Sequence, residues 1–570
     1  MNRVLSAARA AVAAAVSLVF LVSVAPAAVI RIPSDEPTIA AGIAAASAGD
    51  TLLLADGSHD EHGLVVDKPL TIAGESGSPG SASINGQLAG RIFDVENANG
   101  VVFSGLTFLL GHSDWGGAVY SDSSDVTFDY CVFHLNSVTM HGGAVFYNGG
   151  TGTFTDCSFV ANDAEIAGGG IVLSGAGGTF TGCYFGENEA WWGGGVCAYH
   201  PGAAPVFSAC VFQGNRAVSP PGNEPYGGGV YCWDHAAPTF SHCDFIENTS
   251  GHGGAGLMSD QECQIFLDHC TFQGNSAVVG AGLETWWTRG GSVTNCEFTG
   301  NTASEHGGGV LYEQSQGVVF AGCTFTDNEA GIAGGAFNLT AATPGPSDCT
   351  FTGNSATYGG GVAMSHSVAP TLADCTFTGN SASIGGAVAV DSCASPAVAG
   401  CTIAENTAAY GGAIAFAGCS TPSVSGSTLV LNGATIGGAG IAAWTGTTVS
   451  VSRTIIGFST VGEAAASDGC PVSCTATAIY GNAGGDWTGI IAGQEAGNHN
   501  VATDPLFCGV LAGDHTLCED SPCLPENNGA GVLIGAHEDG CPGPCGAPVE
   551  ATSWGSIKAM YRRDSERRGR

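Results

Sequence analysis

Basic residues are scarce: 14 Lys and Arg stand against 50 Asp and Glu in 570 residues. Eight of those 14 fall in the first 28 residues or after Val549, so the body has six basic and 47 acidic side chains, with Lys68 its one lysine. Phosphate binding needs clustered Lys and Arg, which excludes nucleic acid as a partner. A polyanionic substrate would need a local basic site, and the body has almost no material for one. Charged residues make up only 11%, while Gly reaches 91, a balance that argues against a helical protein. Long apolar runs are also missing after the first 28 residues, so no later segment is long enough to span a bilayer.

What is present begins with MNRVLSAARAAVAAAVSLVFLVSVAPAA, where Arg3 and Arg9 precede an apolar run that ends in small residues around Ala25-Pro26-Ala27. This pattern reads as a secretory signal, a membrane anchor being the other reading of the same run. The mature chain is therefore expected outside the cell or at its surface.

The body repeats. Cysteines stand at 131, 157, 183, 210, 243, 270, 296, 323, 349, 375 and 401, and Ser427 takes the next place. Ten of the eleven gaps are 26 or 27 residues and one is 33. Two residues after each Cys comes Phe, from Phe133 to Phe377, then Ile403 and Leu429; three further comes Asn, from Asn136 to Asn432. A Gly pair or triplet follows in most units. Cys-x-Phe puts both side chains on one face of a strand, and Gly-Gly-Ala-Val-Ala-Val gives a second alternating strand. Asn between them is expected in a left-handed turn, bonding neighbouring backbone. Units of this length without helix predict an all-β, right-handed parallel β-helix, each unit one coil. Ladders of Cys, Phe and Asn would then repeat every 4.8 Å or so along about fifteen coils.

Stacked thiols suit the bore of such a rod, so the ladder Cys, and the shorter column Cys393/Cys419, are read as structural. The ends differ. Residues 36–76 hold a short Ala-rich helix expected to cover the first coil. After Ser450 the period fails, and Cys470, Cys474, Cys508, Cys518, Cys523, Cys541 and Cys545 appear at loop-like spacings, expected as disulfides closing the last coils. The resulting division is 1–28 signal, 29–100 N-terminal cap and first coils, 101–450 regular repeats, 451–549 irregular Cys-rich coils, and 550–570 a basic tail.

FTGN at 377–380 with GGAV at 385–388, and IAEN at 403–406 with GGAI at 411–414, resemble the repeats of chlamydial polymorphic membrane proteins. TIAAGIAAASAGDTLLLADGSH and KPLTIAGES resemble the first coils of secreted pectin-lyase-like β-helix proteins. YGNAGGDW, DPLFC and IGAHEDGC resemble the closing segments of bacterial right-handed β-helix repeat proteins. The first resemblance implies adhesion or surface display, the second polysaccharide cleavage. The sequence departs from both. It ends SERRGR rather than in alternating barrel strands. Of the Asp cluster, Ca²⁺ and Arg base that pectate lyases use, it offers only Arg91, Arg216, Arg289 and Arg453 in the coils, none beside an obvious carboxylate cluster. Gly251-His252-Gly253 matches one of four polygalacturonase motifs, but His252 reads as the residue before a Gly pair, a place also held by Trp115, His141, Trp192, Tyr226, His306, Tyr358 and Tyr410.

Two sets of candidates remain. Residues flanking the ladder Cys should point outward, which stacks His242 on His269 and sets Asp244 and Glu297 two coils apart, about 9–10 Å. That is the edge of the separation inverting glycosidases use, though a solvated polar face explains the same residues. The 33-residue gap places VSPPGNEP at 218–225 in a bulging turn, and Trp191, Trp192, Tyr226, Trp233, Trp286 and Trp287 surround it in sequence. Exposed aromatics along a rod suit sugar rings, while alternation could turn some inward as core. The sequence thus points to a monomeric, exported, non-catalytic protein acting in surface adhesion or binding a polysaccharide or cell-surface glycan. The alternative is a lyase or hydrolase on the same scaffold. No metal ligands are assigned, and Ca²⁺ is the one cofactor its acidic faces would suit.

Overall fold

The computed structural model describes residues 27–541 apart from residue 79. The signal-like segment, the basic tail and Cys545 lie outside the described residues. The chain winds as a parallel β-solenoid, each coil presenting three faces. In one coil these are Thr350–Thr352, then Ser355–Tyr358, then Val362–Ser365 continued by Thr371–Ala373. Each strand pairs in parallel with its counterpart one coil on, as Phe351 does with Phe377 and Val362 with Val388.

The first face stacks seventeen strands, and the solenoid makes about 20 turns, more than the fifteen expected. The surplus coils, such as those of Ala82–Asn85 and Ala478–Tyr480, carry other apolar residues in the bore and so escape the Cys-x-Phe signature. The short helix Ile39–Ala45 sits over the first coil. Thr38 caps it by accepting from the Ala41 amide, and the Glu61 carboxylate takes the Ile39 and Ala40 amides.

Inside, Phe108 to Phe377 form a column of parallel rings; Phe245 and Phe272 lie 4.5 Å apart and 1° from parallel. The ladder Cys are buried free thiols beside it. The Asn residues do not take the left-handed turn. That conformation falls on the residue before, Leu135, Ala161 or Glu187 for example, with φ of 52–55° in most non-Gly cases. The Asn side chain instead turns into the bore, where eleven amide-to-amide hydrogen bonds of 2.9–3.1 Å link Asn136 to Asn432. Burying an amide is costly unless every polar atom is paired, and stacking pairs them.

At the other end Cys508 and Cys541 form a disulfide. Cys470, Cys474 and Cys523 are buried thiols rather than the expected bridges, because they face into the last coils instead of into loops. The Cys518 sulfur lies 3.5 Å from that of Cys541.

Candidate functional site

The second and third faces meet at a concave corner, made by two adjacent glycines. Gly359 has φ +61°, and a Cβ on Gly360 would lie 2.5 Å from the Gly386 and Ser381 carbonyls one coil on. The corner has two walls. One is the column of residues before the left-handed Gly: Trp115, His141, Trp192, Tyr226 and, further up, His306, Tyr358 and Tyr410. The other is the second residue of each third-face strand, among them Phe146, Tyr231, Met258, Glu284 and Leu311. Alternation points this second column away from the bore, yet Phe146 is 1% exposed, Met258 0% and Leu311 3%. The facing wall covers them.

In its lower half the protein's own rings fill the corner. Trp115, Tyr120, Trp192, Tyr199, Tyr226, Trp233 and Trp286 pack on Phe146, Cys197, Tyr231 and Met258. In the upper half the corner opens into a groove of ≈ 680 Å³. Its floor is Ala363, Ala389 and Ala415; Tyr358, Trp444 and Ile384 rise beside it, with His306, Glu313, His366 and Asp391 along the edges.

Where the halves meet lies a cluster of acids. Glu284 is 4% exposed, and its Oε2 is buried with no hydrogen-bond partner. The carboxyl fills the space that a side chain at Gly253 would take, since a Cβ there would lie 1.8 Å from Oε2. Burial pushes the Glu284 acid well above the usual carboxylate range, and Glu313, Asp260 and Glu224 add to the shift. Asp260, also 4% exposed, accepts from the Tyr231 hydroxyl at 3.3 Å. Burial raises its pKa to about 6. The 218–225 bulge closes over this point. Glu224 accepts from the Tyr226 hydroxyl at 2.7 Å, its carbonyl takes the Trp191 indole N–H at 3.1 Å, and its carboxylate lies 3.8 Å from His252.

The sequence candidates fall on two sites. His242 and His269 do stack, with ring centroids 5.2 Å apart and 4° from parallel. Asp244, Thr271 and Glu297 follow on successive rungs of the first face, around a corner from the groove. There His269 pairs with Asp268 at 3.0 Å, and that hydrogen bond holds the Asp268 carboxyl below its ordinary range. Trp192, Tyr226, Trp233 and Trp286 join the lower corner cluster. Trp191 lies on Trp192 and Trp287 on Trp286, with ring centroids 4.8 and 5.6 Å apart. None of the six enters the bore.

Two placements differ from expectation. His252 stands one residue outside the corner column; Gly253 holds that position, because Gly254 rather than Gly253 takes the left-handed turn. Arg289 does meet a carboxylate network: it pairs with Glu262, which reaches His235, which in turn shares Asp234 with His200. Sequence reasoning missed Glu284 and Asp260. The signal was present in Ala281-Gly-Leu-Glu-Thr-Trp286, where Glu284 replaces the small or apolar residue of other coils.

Fold and corner together define a parallel β-solenoid with a lateral groove along its axis. A family model described as right handed beta helix region matches residues 161–292 and 281–456. The chain belongs to that right-handed β-helix family. No curated protein matches it. Among solved structures it is similar to pectate lyase Pel9A, at 12% identity and TM-score 0.33, over 50% of this chain and 76% of that one. It is similar to bacteriophage CBA120 tailspike protein 3 at 11% identity and TM-score 0.35, over 70% of this chain and about half, 54%, of the tailspike. A PL6 family polysaccharide lyase from Pseudopedobacter saltans matches at 11% identity and TM-score 0.30, over 63% and 84% of the two chains. No helix among the described residues is long and apolar enough to cross a membrane.

Proposed function

We propose that this is an exported glycan-binding protein that holds an extended sugar chain in the upper corner groove and so serves surface adhesion. One observation carries the reading: an open trough with a floor of alanines, flanked by Tyr358, Trp444 and, two coils above Tyr358, Tyr410. Small floor residues leave room for ring after ring, and aromatic walls offer faces to sugar C–H groups. The trough runs along the stacking axis, so its contacts recur every 4.8 Å or so. Export rests on the character of residues 1–28.

The test is retention of the purified chain on a panel of insoluble polysaccharides, with and without Ca²⁺, scoring soluble product alongside. Retention should fall about tenfold in Tyr358→Ala/Tyr410→Ala, the loss of two stacking faces. Retention unchanged in that variant but lost in Trp191→Ala/Trp192→Ala moves the site to the lower corner. Retention on no polysaccharide defeats the reading.

A catalytic reading has one specific observation in its favour. Two buried carboxyls, Glu284 and Asp260, are both held toward the protonated form, as a general acid requires. Product release abolished by Glu284→Gln or Asp260→Asn would establish it, and release abolished by Asp244→Ala or Glu297→Ala would place it on the first face instead.

A further inference from the structure

The insertion at 218–225 lies over a carboxyl that the closed structure cannot keep ionised. Glu284 is 4% exposed, and its Oε2 has no hydrogen-bond partner. The side chain is turned one coil down, into the space above Gly253, which pairs in turn with Tyr226. The insertion ends at that level. Pro225 is buried there, and its carbonyl takes the Ser250 hydroxyl at 2.8 Å. The charged groups that bear on the carboxyl are acids: Glu224 from the insertion, Asp260 from the strand below and Glu313 from the strand above. Tyr226, Tyr231 and His252 are the other titratable side chains around it, and Arg216 is paired with Glu189 at 3.2 Å. A desolvated carboxylate among like charges has no counter-charge here, so ionisation has to bring water in.

The cover is loosely fastened. Residues 220–224 are exposed. The Val218 amide bonds the Ala190 carbonyl at 2.8 Å, and beyond it the loop reaches the body through Glu224. The Glu224 carboxylate accepts from the Tyr226 hydroxyl at 2.7 Å and lies 3.8 Å from His252, and its carbonyl accepts from the Trp191 indole at 3.1 Å. A segment with so little buried surface opens locally at low cost.

We propose that residues 219–224 form a pH-operated lid, shut over Glu284 while that carboxyl is protonated and driven off when it ionises, uncovering the Trp191 and Trp192 faces as it leaves. Opening is then a proton-linked equilibrium. The closed form holds the proton, because burial and the neighbouring acids push Glu284 well above the usual carboxylate range. The open form, with water at the carboxyl, releases it. Acid therefore favours the closed lid, and closure is lost as pH rises, by up to about tenfold per pH unit for the one proton released. His252 acts in the same sense, since its protonated ring attracts Glu224, and the test has to separate the two. The device does not depend on a sugar in the upper groove.

The test is quenching of tryptophan emission by acrylamide, a neutral quencher, in mildly acidic and in weakly alkaline buffer. The chain lacking Ser219–Glu224 supplies the open value and should be quenched equally in both. The parent should lie below it in acid and close more than half of the gap in alkali. Glu284→Gln should keep the acid value in both buffers. So should Glu284→Met, which places there the residue that Met258 carries one coil below, should the amide variant not fold. His252→Gln should retain the rise. A parent whose quenching does not rise, or a rise undiminished in the Glu284 variants, overturns the inference. A deletion chain quenched no more than the parent overturns it too, because the loop then covers nothing. A rise lost only in His252→Gln assigns the switch to the imidazole instead of Glu284.

Discussion

Asn301 shows how one residue type holds the rod together. Its Nδ2 donates to the Phe272 carbonyl and the Asn328 amide oxygen, both at 2.9 Å, and its Oδ1 receives the Asn275 amide N–H at 3.0 Å and the Asn275 Nδ2 at 2.9 Å. Removing the amide strands buried donors and acceptors on two neighbouring coils, and each stranded group costs on the order of 1–3 kcal/mol. Asn301→Leu should therefore lower the unfolding free energy by about 4 kcal/mol, read by thermal or denaturant unfolding. Asn301→Asp should be no better tolerated, since a carboxylate has nothing to donate to the Phe272 carbonyl. The thiols in the same bore behave differently. Cys296 makes weak Sγ contacts, to the Thr294 carbonyl and to the neighbouring ladder thiols Cys270 and Cys323, so Cys296→Ala should cost about 1 kcal/mol, chiefly a small cavity. The buried ladder thiols should also resist alkylation until the chain unfolds, a mass-spectrometric measurement that rapid native labelling would contradict.

At the scale of the coil, the strands and their inward residues were legible, because Cys-x-Phe-x-x-Asn imposes period two and then a fixed corner. The corner's cause was not. The left-handed residue before each Cys or Asn is Tyr130, Asp156, His242 or Gly400 in different coils, so the strands on either side set the turn rather than any one side chain. The groove escaped for a related reason. Period-two logic assigns Ala389 and Glu284 to solvent, and it holds only while faces are flat or convex. Two adjacent glycines fold the faces toward each other, and residues that should be wet become 7% and 4% exposed. The bulge at 218–225 was legible as an insertion, but what it covers was not. Deleting Ser219–Glu224 restores the common spacing and leaves the register of Arg216 with Thr249 untouched. The variant should unfold within about 3 °C of the parent, as surface insertions generally permit. It should also expose the Glu284 end of the corner, read as quenching of Trp191/Trp192 fluorescence by acrylamide. A large loss of stability would mean that the bulge is part of the stack.

The molecule carries most of its charge in one sign, 50 acidic against 14 basic residues, and its response to pH should show which acids are built into the structure. Half-buried acids such as Asp234 and Asp268 have lowered pKa values, held by hydrogen bonds from His200 and His269 respectively, and favour the fold once ionised. Glu284 and Asp260 act in the opposite sense. Their folded-state pKa values are raised, so the folded chain holds their protons more tightly than the unfolded chain does. Their contribution is complete below the ordinary carboxylate range and is lost as pH rises, for Asp260 between 3.8 and about 6. A shift of that size corresponds to on the order of 3 kcal/mol. Self-repulsion of the acidic body pulls in the same direction but is screened by salt. The two causes therefore separate. In high salt, the unfolding temperature of the parent should still fall as pH is raised from mildly acidic to neutral, and Asp260→Asn/Glu284→Gln should flatten most of that remaining slope. A slope unchanged in the double variant would assign the pH response to the surface charge alone and would leave the two buried carboxyls without a measurable cost to the fold.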